Sequence, residues 1–305
     1  MTSTTLKISL LVLAMALPHL GSVAGLTIGP VTIGPGGGTG DPVLTSFDGR
    51  SFEFMGDVGK FYSLISERSH QLSMRLKLGQ MFDHNGTYMD GIGFMYQQHK
   101  VLVEIDAAGN LEVVLDGKRL QMSTGETEQE HILALEQGEL MINWEHHRAG
   151  LGQAVEITSD MLSVVAYLTP AGTLDEGGVV QPAYINFDAD LLSPPAGAMK
   201  GVIGEGYERL MNPKSVPEED DYKFHGVEKD YEQASYFSTS HPSCMFGVPA
   251  DTSSIKRRLA ERVHVAFPLH FSSVQPKRLP QASSGAQPSL RSLLGASLRV
   301  NPMAV

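Results

Sequence analysis

The segment Gly40–Gly56 reads GDPVLTSFDGRSFEFMG and predicts how this part of the chain folds. Asp48 and Gly49 form a dipeptide that favours a tight turn between two strands. Phenylalanines recur at alternating positions around this turn, and a period of two is typical of a β-strand. The segment therefore predicts a β-hairpin whose aromatic face packs into a core.

The same period of two continues through the middle of the chain. In residues 72–78, leucine and methionine alternate with Ser73, Arg75 and Lys77, which predicts a strand with one buried and one wet face. Further strands are predicted at residues 101–105, 111–115, 132–135, 140–144, 155–158, 162–168 and 184–187. Such spacing with little helical pattern predicts a mainly β fold, an antiparallel β-sandwich, over residues 41–250.

Residues 1–24 have the pattern of a secretory signal peptide. Lys7 precedes the apolar segment 8–17, and small residues lead to a cleavage position after Ala24. A membrane anchor needs about 20 apolar residues, and no segment of the sequence reaches that length. We therefore expect a secreted, extracellular protein that does not span a membrane, with Asn85 in its Asn-Gly-Thr sequon as a glycosylation candidate.

The composition allows one large domain without disulfides. A chain of 305 residues with 42% hydrophobic residues can bury a substantial core. Cys244 is the only cysteine in the sequence, so no intramolecular disulfide forms. A single cysteine either pairs between chains or stays buried as an inert thiol, and we expect the buried thiol.

Charge and glycine content separate the two ends from the central domain. Residues 251–305 carry eight Lys and Arg against two Asp and Glu, while the whole chain has a net charge of -11. The acidic body disfavours nucleic acid. The basic segment 251–305 is predicted to be a largely disordered tail, and the alternative is that it binds acidic polysaccharide. The glycine-rich residues 25–40 are predicted to be a flexible lead-in.

Three ordered motifs resemble one known family. The first contains Asp41 and Pro42 followed by Phe47-Asp48-Gly49, the second is Gly201–Tyr207 with Gly204 at its centre, and the third runs from Asp230 to Cys244. Together they resemble von Willebrand factor type D domains, and more specifically the related root-cap family of late-embryogenesis-abundant-type plant proteins. The resemblance spans about residues 40–247 and implies an extracellular β-rich module.

The resemblance also implies a calcium site. Type D domains hold a calcium ion in an acidic loop just after the segment that Gly201–Tyr207 resembles. The acidic run 218–221 follows here, so the resemblance implies Asp220 and Asp221 as ligands, with Asp41 as a third. The regular Asn-x-Asp spacing is missing, and a solvated surface loop also fits a run of four acids. Departures at Val43, Val58 and residues 205–206 put the disulfides of the family in doubt.

No catalytic motif is apparent in the sequence. His146 and His147 are adjacent, and neighbours on a strand point to opposite faces, so they share one ion only across a bulge. Nucleophile-elbow, kinase and phosphate-loop signatures do not occur. We therefore predict a secreted, non-catalytic module of an extracellular matrix or cell wall that is structural or binds a polysaccharide or protein, with calcium as its one candidate cofactor. The alternative is a carbohydrate-active hydrolase with a carboxylate pair, which the sequence does not single out.

Overall fold

Antiparallel strands make up most of the described chain. The computed structural model describes residues 25–28, 31–40, 42–81, 84–121, 129–135, 138–174, 178–212, 224 and 226–249. In chain order the strands are β1 (Thr27–Ile28), β2 (Val31–Thr32), β3 (Gly36–Thr39), β4 (Val43–Thr45), β5 (Ser51–Glu53), β6 (Phe61–Ser66), β7 (His70–Met81), β8 (His84–Tyr96), β9 (His99–Ile105), β10 (Leu111–Leu115), β11 (Lys118–Arg119), β12 (Gln129–Ala134), β13 (Glu139–Arg148), β14 (Gly152–Thr158), β15 (Leu162–Thr169), β16 (Tyr184–Leu191) and β17 (Glu232–Gln233). Helical structure among the described residues is limited to α1 (Glu205–Met211) and a 3-10 turn at Glu228–Tyr231. The prediction of a mainly β, antiparallel fold with few helices is confirmed.

One large antiparallel sheet holds every described strand except the β1–β2 hairpin. Its main path has the strand order β11-β10-β9-β8-β16-β15-β14-β13-β12. From β8 the sheet also continues through β7 to β6 and β17, and from β16 it continues through β3 to β4 and β5. The sheet curls on itself, so that β14 contacts the β9–β10 turn. Gln153 of β14 donates to Asn110 Oδ1 at 2.8 Å and accepts from Leu111 N at 3.0 Å. The sandwich-like core is therefore enclosed by a single sheet that curls on itself.

The hairpin predicted around Asp48 and Gly49 is present. β4 and β5 pair antiparallel, and Ser46 N donates to Arg50 O at 2.9 Å across the turn. Phe47 is fully buried, which fits the predicted aromatic face. The other predicted strands are present as β7, β9, β10 and β12–β16.

The core lies inside the curl of the sheet. Leu72, Met74 and Leu76 of β7 are fully buried, and alternate residues of β9, β10 and β15 join them. Removing each such side chain from water contributes about 1.5–3 kcal/mol. Leu78 continues the same period but is 56% exposed. Leu78 lies opposite Thr87 of β8, in a part of β8 that pairs with no other described strand, because β16 pairs with β8 at Met89 and β9 pairs from Gly91 onward.

The predicted flexible lead-in contains a strand of the large sheet. β3 pairs with β16 on one side and with β4 on the other, and its three glycines are buried. A β carbon at Gly38 would lie 2.6 Å from the side chains of Leu44 and Phe187, so only glycine lets these side chains pack against the strand. The glycine-rich composition at β3 reflects close packing, where the sequence suggested flexibility.

Candidate functional site

The three motifs come together in the folded chain. The Asp48 side chain is nearly buried in the β4–β5 turn, and Arg209 of α1 donates to its Oδ2 atom at 2.6 Å. Arg209 also donates to Ser46 Oγ at 3.1 Å, and Ser46 in turn donates to Asp48. Burial raises the pKa of Asp48, but these hydrogen bonds outweigh burial and hold the pKa below its usual value. The first motif is thus fastened to the helix that begins in the second.

The second motif packs its backbone onto β6. Val202 N donates to Ser63 O at 3.0 Å, while Ile203 N and Gly204 N both donate to Leu64 O. The Gly201–Gly204 turn thereby leads directly into α1, where Tyr207 is buried in the core. These contacts give the motif a structural role at the junction of sheet and helix.

The third motif covers the outer face of β7 and β8. Tyr236 is buried, and its hydroxyl donates to Glu104 Oε1 at 3.2 Å under the guanidinium of Arg75, which lies 5.6 Å from the ring. A β carbon at Gly91 would overlap the Tyr236 hydroxyl, so this glycine makes room for the ring. Ser73 Oγ, which the sequence places on a wet face, instead donates to Tyr236 O at 2.5 Å and is buried.

Tyrosine hydroxyls connect the third motif with its surroundings. Burial, followed by the charge of Glu104, raises the pKa of Tyr236. Burial also raises the pKa of Tyr231, with Glu205 of α1 as the next cause. Both phenols therefore stay protonated as donors, and the Tyr231–Glu205 contact links the third motif to the second.

Cysteine and histidine side chains form no metal centre among the described residues. Cys244 is free and half-buried, with Sγ 4.0 Å from Gln71 Oε1. The register of β13 with β14 shifts between Glu145 and Arg148, which is the bulge that two adjacent histidines need to face the same side. The ring centroids of His146 and His147 lie 4.6 Å apart. Two imidazoles are fewer than the ligands that a structural metal needs.

A buried histidine joins two turns of the sheet. His70 Nδ1 lies 3.5 Å from Glu67 Oε2 and its Nε2 lies 2.9 Å from Ser159 Oγ, an order of groups that resembles a nucleophile, a base and an orienting acid. However, Ser159 Oγ donates to Leu162 O at 2.9 Å and accepts from Leu162 N at 3.1 Å. Because its one proton is directed to a carbonyl, the hydroxyl accepts from His70 rather than donating to it. Glu67, His70 and Ser159 thus form a structural link, named the strut, between the β6–β7 and β14–β15 turns.

The outer face of β14–β16 carries the most distinctive exposed chemistry. Alternation along β16 places Tyr184, Asp188 and Asp190 on the outer face, and register adds Tyr167 of β15 and Glu156 of β14. These five residues are named the tyrosine–carboxylate face. The Tyr184 ring stacks on the buried Tyr88 ring at 4.4 Å, which fixes one aromatic side chain of the face.

Interactions within the face shift several pKa values upward. Although Asp188 and Asp190 are exposed residues, partial burial of their carboxyl groups raises the pKa of each. The second cause is the neighbouring charge, of Asp190 for Asp188 and of Glu156 for Asp190. Burial, then Asp188 and Tyr184, raises the pKa of Tyr167 to about 12. Perturbed pKa values are enriched at functional sites, so this face is a candidate binding surface.

The local sequence pattern predicts the strand but not this face. Its signal was the run YINFDADL at residues 184–191, in which a strand period places the tyrosine and both aspartates on one side. The strand predicted from the sequence covers residues 184–187, whereas β16 continues to Leu191 and includes Asp188 and Asp190. Only the register with β14 and β15 brings Glu156 and Tyr167 beside them.

The predicted calcium ligands and both ends of the chain lie outside the described residues. These are Asp41, Asp220 and Asp221, the signal segment 1–24 and the basic tail 251–305. The backbone of Asn85 lies in β8 opposite Gln80. The calcium and glycosylation assignments stay predictions.

No protein-family model matches this chain, and no curated protein matches it significantly. The resemblance to type D and root-cap proteins therefore stays a prediction that rests on the three motifs. Among the described residues, no helix is long and apolar enough to cross a membrane.

Proposed function

We propose that this chain is a secreted, non-catalytic β module of an extracellular matrix or cell wall, which binds polysaccharide through the tyrosine–carboxylate face. The observation that carries the proposal is that Tyr167 and Tyr184 share one open sheet face with Asp188 and Asp190. Aromatic rings stack on the apolar faces of sugar rings, while carboxylates accept hydrogen bonds from sugar hydroxyls. An open face suits a chain-like ligand better than a closed pocket does.

The three motifs bind one another and form a framework that holds this face in place. Asp48 binds Arg209, Tyr231 contacts Glu205 and Tyr236 binds Glu104, so the polar groups of the motifs are engaged within the protein. Rigid supports of this kind hold ligand-contacting residues in place with little loss of entropy on binding. The motifs therefore serve the fold, and the ligand surface lies elsewhere on the sheet.

A glycan-array screen of the secreted protein, with and without calcium, tests the proposal. Binding to one or more polysaccharides is expected, with Tyr167→Ala and Asp188→Asn each weakening it at least several-fold. Lys118→Ala on the exposed strand β11 is the matched control and leaves binding unchanged. Absence of binding to any glycan, or binding that survives both changes, contradicts the proposal.

Glycoside hydrolysis is the second candidate function, and one observation favours it. Asp188 and Asp190 stand two residues apart on one face, which puts their backbones about 6–7 Å apart along the strand. From such a spacing two carboxyl groups can reach the roughly 5–9.5 Å separations found in glycosidases. A raised carboxyl pKa also suits a general acid. Release of reducing sugar from a bound polysaccharide, lost on Asp188→Asn or Asp190→Asn, identifies a hydrolase, whereas binding without turnover supports the non-catalytic module.

The resemblance to type D domains implies that a bound calcium ion stabilises the fold, and this is part of the proposal. If Asp220 and Asp221 bind calcium in the folded state only, adding calcium to about 100 times its dissociation constant stabilises the fold by roughly 2.7 kcal/mol. Magnesium has a much smaller effect because it holds its own water shell. The double change Asp220→Asn with Asp221→Asn removes the response, and a melting curve unmoved by millimolar calcium makes the acidic run a solvated loop.

A further inference from the structure

β12 forms one edge of the large sheet. It pairs with β13 on one side, and no described strand lies on its other side. At the end of this hairpin Leu135 N donates to Gly138 O at 3.1 Å, and hydrogen-bonded pairs alternate with unbonded pairs along an antiparallel ladder. The backbone groups of Glu130, Ile132 and Ala134 therefore point away from β13 toward the free edge.

Within the described residues, this edge has little protection against pairing. Natural edge strands avoid new partners with proline, with charged side chains such as lysine, or with a bulge that bends the strand, and of these features β12 has only the charge of Glu130. β12 reads QEHILA, with no proline or lysine, and its register with β13 is unbroken. Ile132 at its centre is 54% exposed. The edge is open to another strand, and its own sequence determines which strand fits.

We propose that β12 pairs antiparallel with β12 of a second copy of this chain, about a two-fold axis at Ile132. In this register Ile132 faces the partner's Ile132 and Glu130 faces the partner's Ala134, so outward-pointing backbone groups meet only one another. About six main-chain hydrogen bonds form between the copies. The two isoleucines cover each other, and each glutamate faces an alanine.

The number of paired residues and the charge of Glu130 select this register. An axis at His131 or Leu133 would pair only two of the three outward-pointing residues of β12 with one another. An axis at Glu130 would place two carboxylates directly opposite each other, which destabilises a cross-strand pair. A foreign strand would need its own complement to the pattern of glutamate, isoleucine and alanine, whereas a second copy supplies it by symmetry. The self-complementary pattern is the reason for naming a second copy as the occupant.

The dimer is expected to be weak and to join two sheets into one. Two six-residue strands bury less than the roughly 1,200 Å² of a standard interface, which indicates a concentration-dependent association. A two-fold axis normal to the sheet puts both tyrosine–carboxylate faces on the same side, so a polymer can contact both. That consequence rests on the proposed function, but the dimer does not.

Sedimentation over about a hundredfold range of protein concentration tests the dimer, in reducing buffer so that Cys244 cannot link chains. We expect a reversible rise in mass that Ile132→Lys abolishes and that the matched control Val180→Lys, at a residue 63% exposed outside β12, leaves intact. Ala134→Lys should tighten the dimer by about 2- to 30-fold through two opposite-charge pairs with Glu130. Ala134→Glu should weaken it by a similar factor.

The charge swap keeps the test independent of folding. Adding Glu130→Lys to Ala134→Glu recreates two opposite-charge pairs and should restore the dimer, with thermal unfolding of each variant measured in parallel. A monomer at every concentration overturns the proposal, as does a dimer that none of these changes in β12 affects. Loss of glycan binding with the dimer intact would instead count against the proposed function alone.

Discussion

At the scale of single residues, stability depends on a few polar side chains held in low-dielectric surroundings. Asp48 and Glu67 are both buried carboxylates with lowered pKa values. For each, burial pushes the pKa upward, and hydrogen bonds from neighbouring donors outweigh burial. Removing a donor therefore exposes the cost of burying the charge.

Arg209→Met is expected to lower the free energy of unfolding by about 1–3 kcal/mol at pH 7, because it removes a charged hydrogen bond to Asp48. Because the folded-state pKa of Asp48 is depressed, its contribution is present above the unfolded value of about 3.9 and is lost as pH falls through the folded value. The difference between variant and wild type should thus shrink below about pH 4. Urea denaturation at both pH values measures this.

Arg50→Met is the matched control for that change. Arg50 Nε lies 3.9 Å from Asp48 Oδ2, against 2.6 Å for Arg209 Nε, and the two arginines are similarly exposed. We expect Arg50→Met to be near neutral. Equal losses from both changes would mean that Asp48 responds to general positive charge rather than to the Arg209 hydrogen bond.

His70→Leu is expected to destabilise the fold by about 3–5 kcal/mol, because Glu67 would remain as a buried carboxylate without this partner. Adding Glu67→Gln removes the charge and should recover part of the loss. Ser159→Ala should cost about 1–3 kcal/mol, because His70 and Leu162 lose a buried hydroxyl partner. Equilibrium unfolding of the three variants measures these effects, and a hydrolytic activity lost in Ser159→Ala without loss of stability would contradict the strut.

At the scale of elements, the segment Glu232–Ser238 closes the outer face of β7 and β8. Gln71 Nε2 donates to Ser238 O at 3.0 Å, and Phe61 packs edge-on to Tyr236 at 4.8 Å. Strand residues that a simple alternation leaves exposed are buried as a result. The segment therefore acts as a third layer over part of the sheet.

Gly91→Ala is expected to cost about 1–3 kcal/mol, because its methyl group would overlap the Tyr236 hydroxyl. In a Tyr236→Ala background the same change should cost less, since the overlapping atoms are gone. A double-mutant cycle by urea denaturation measures the coupling. Gly197→Ala, where a β carbon meets nothing within 4 Å, is the control, and additive effects of the cycle would refute the contact.

Asp188→Asn is expected to raise the free energy of unfolding at pH 7 by about 0.2–1 kcal/mol while weakening glycan binding. A raised carboxyl pKa means that the folded state binds the proton more tightly than the unfolded state does. Ionisation then costs stability at pH 7, and that cost disappears as pH falls through the raised pKa, so the gain should shrink near pH 4. Chemical denaturation at both pH values measures this.

Asp116→Asn is the control with the opposite sign. Its pKa is lowered because hydrogen bonds from His99 and Lys100 N outweigh the effect of burial, so this change should destabilise the protein at pH 7. Functional residues often reduce stability. If Asp188→Asn instead lowered the free energy of unfolding, Asp188 would not be a ligand-facing carboxylate whose ionisation costs stability.

At the scale of the whole molecule, one curled sheet carries both a buried framework and the surface that we propose to bind a ligand. The framework consists of the three motifs and the segment over β7 and β8, and the surface consists of the tyrosine–carboxylate face two strands from the open edge β12. In the proposed dimer, edge pairing extends this surface without altering the framework. Binding and assembly are thus expected to respond to different substitutions.

The sequence by itself determined the local parts of this protein. The turn at Asp48-Gly49 and the strands β9 and β10 follow from turn chemistry and from a period of two, which depend only on neighbours in the chain. The same local reasoning predicted the mainly β fold and its scarcity of helix. It also identified the motif residues before their contacts were known.

Only the tertiary structure decided which distant residues meet. Asp48 and Arg209 are 161 positions apart, and Tyr236 covers Gly91 from a different part of the chain. The glycines of β3 form a buried strand for the same reason, because β16, far away in the chain, pairs with β3 on the side opposite β4. Such contacts depend on strand order and register, which a local period does not encode, and so the carboxylates of the outer face and the open edge could be recognised only in the folded chain.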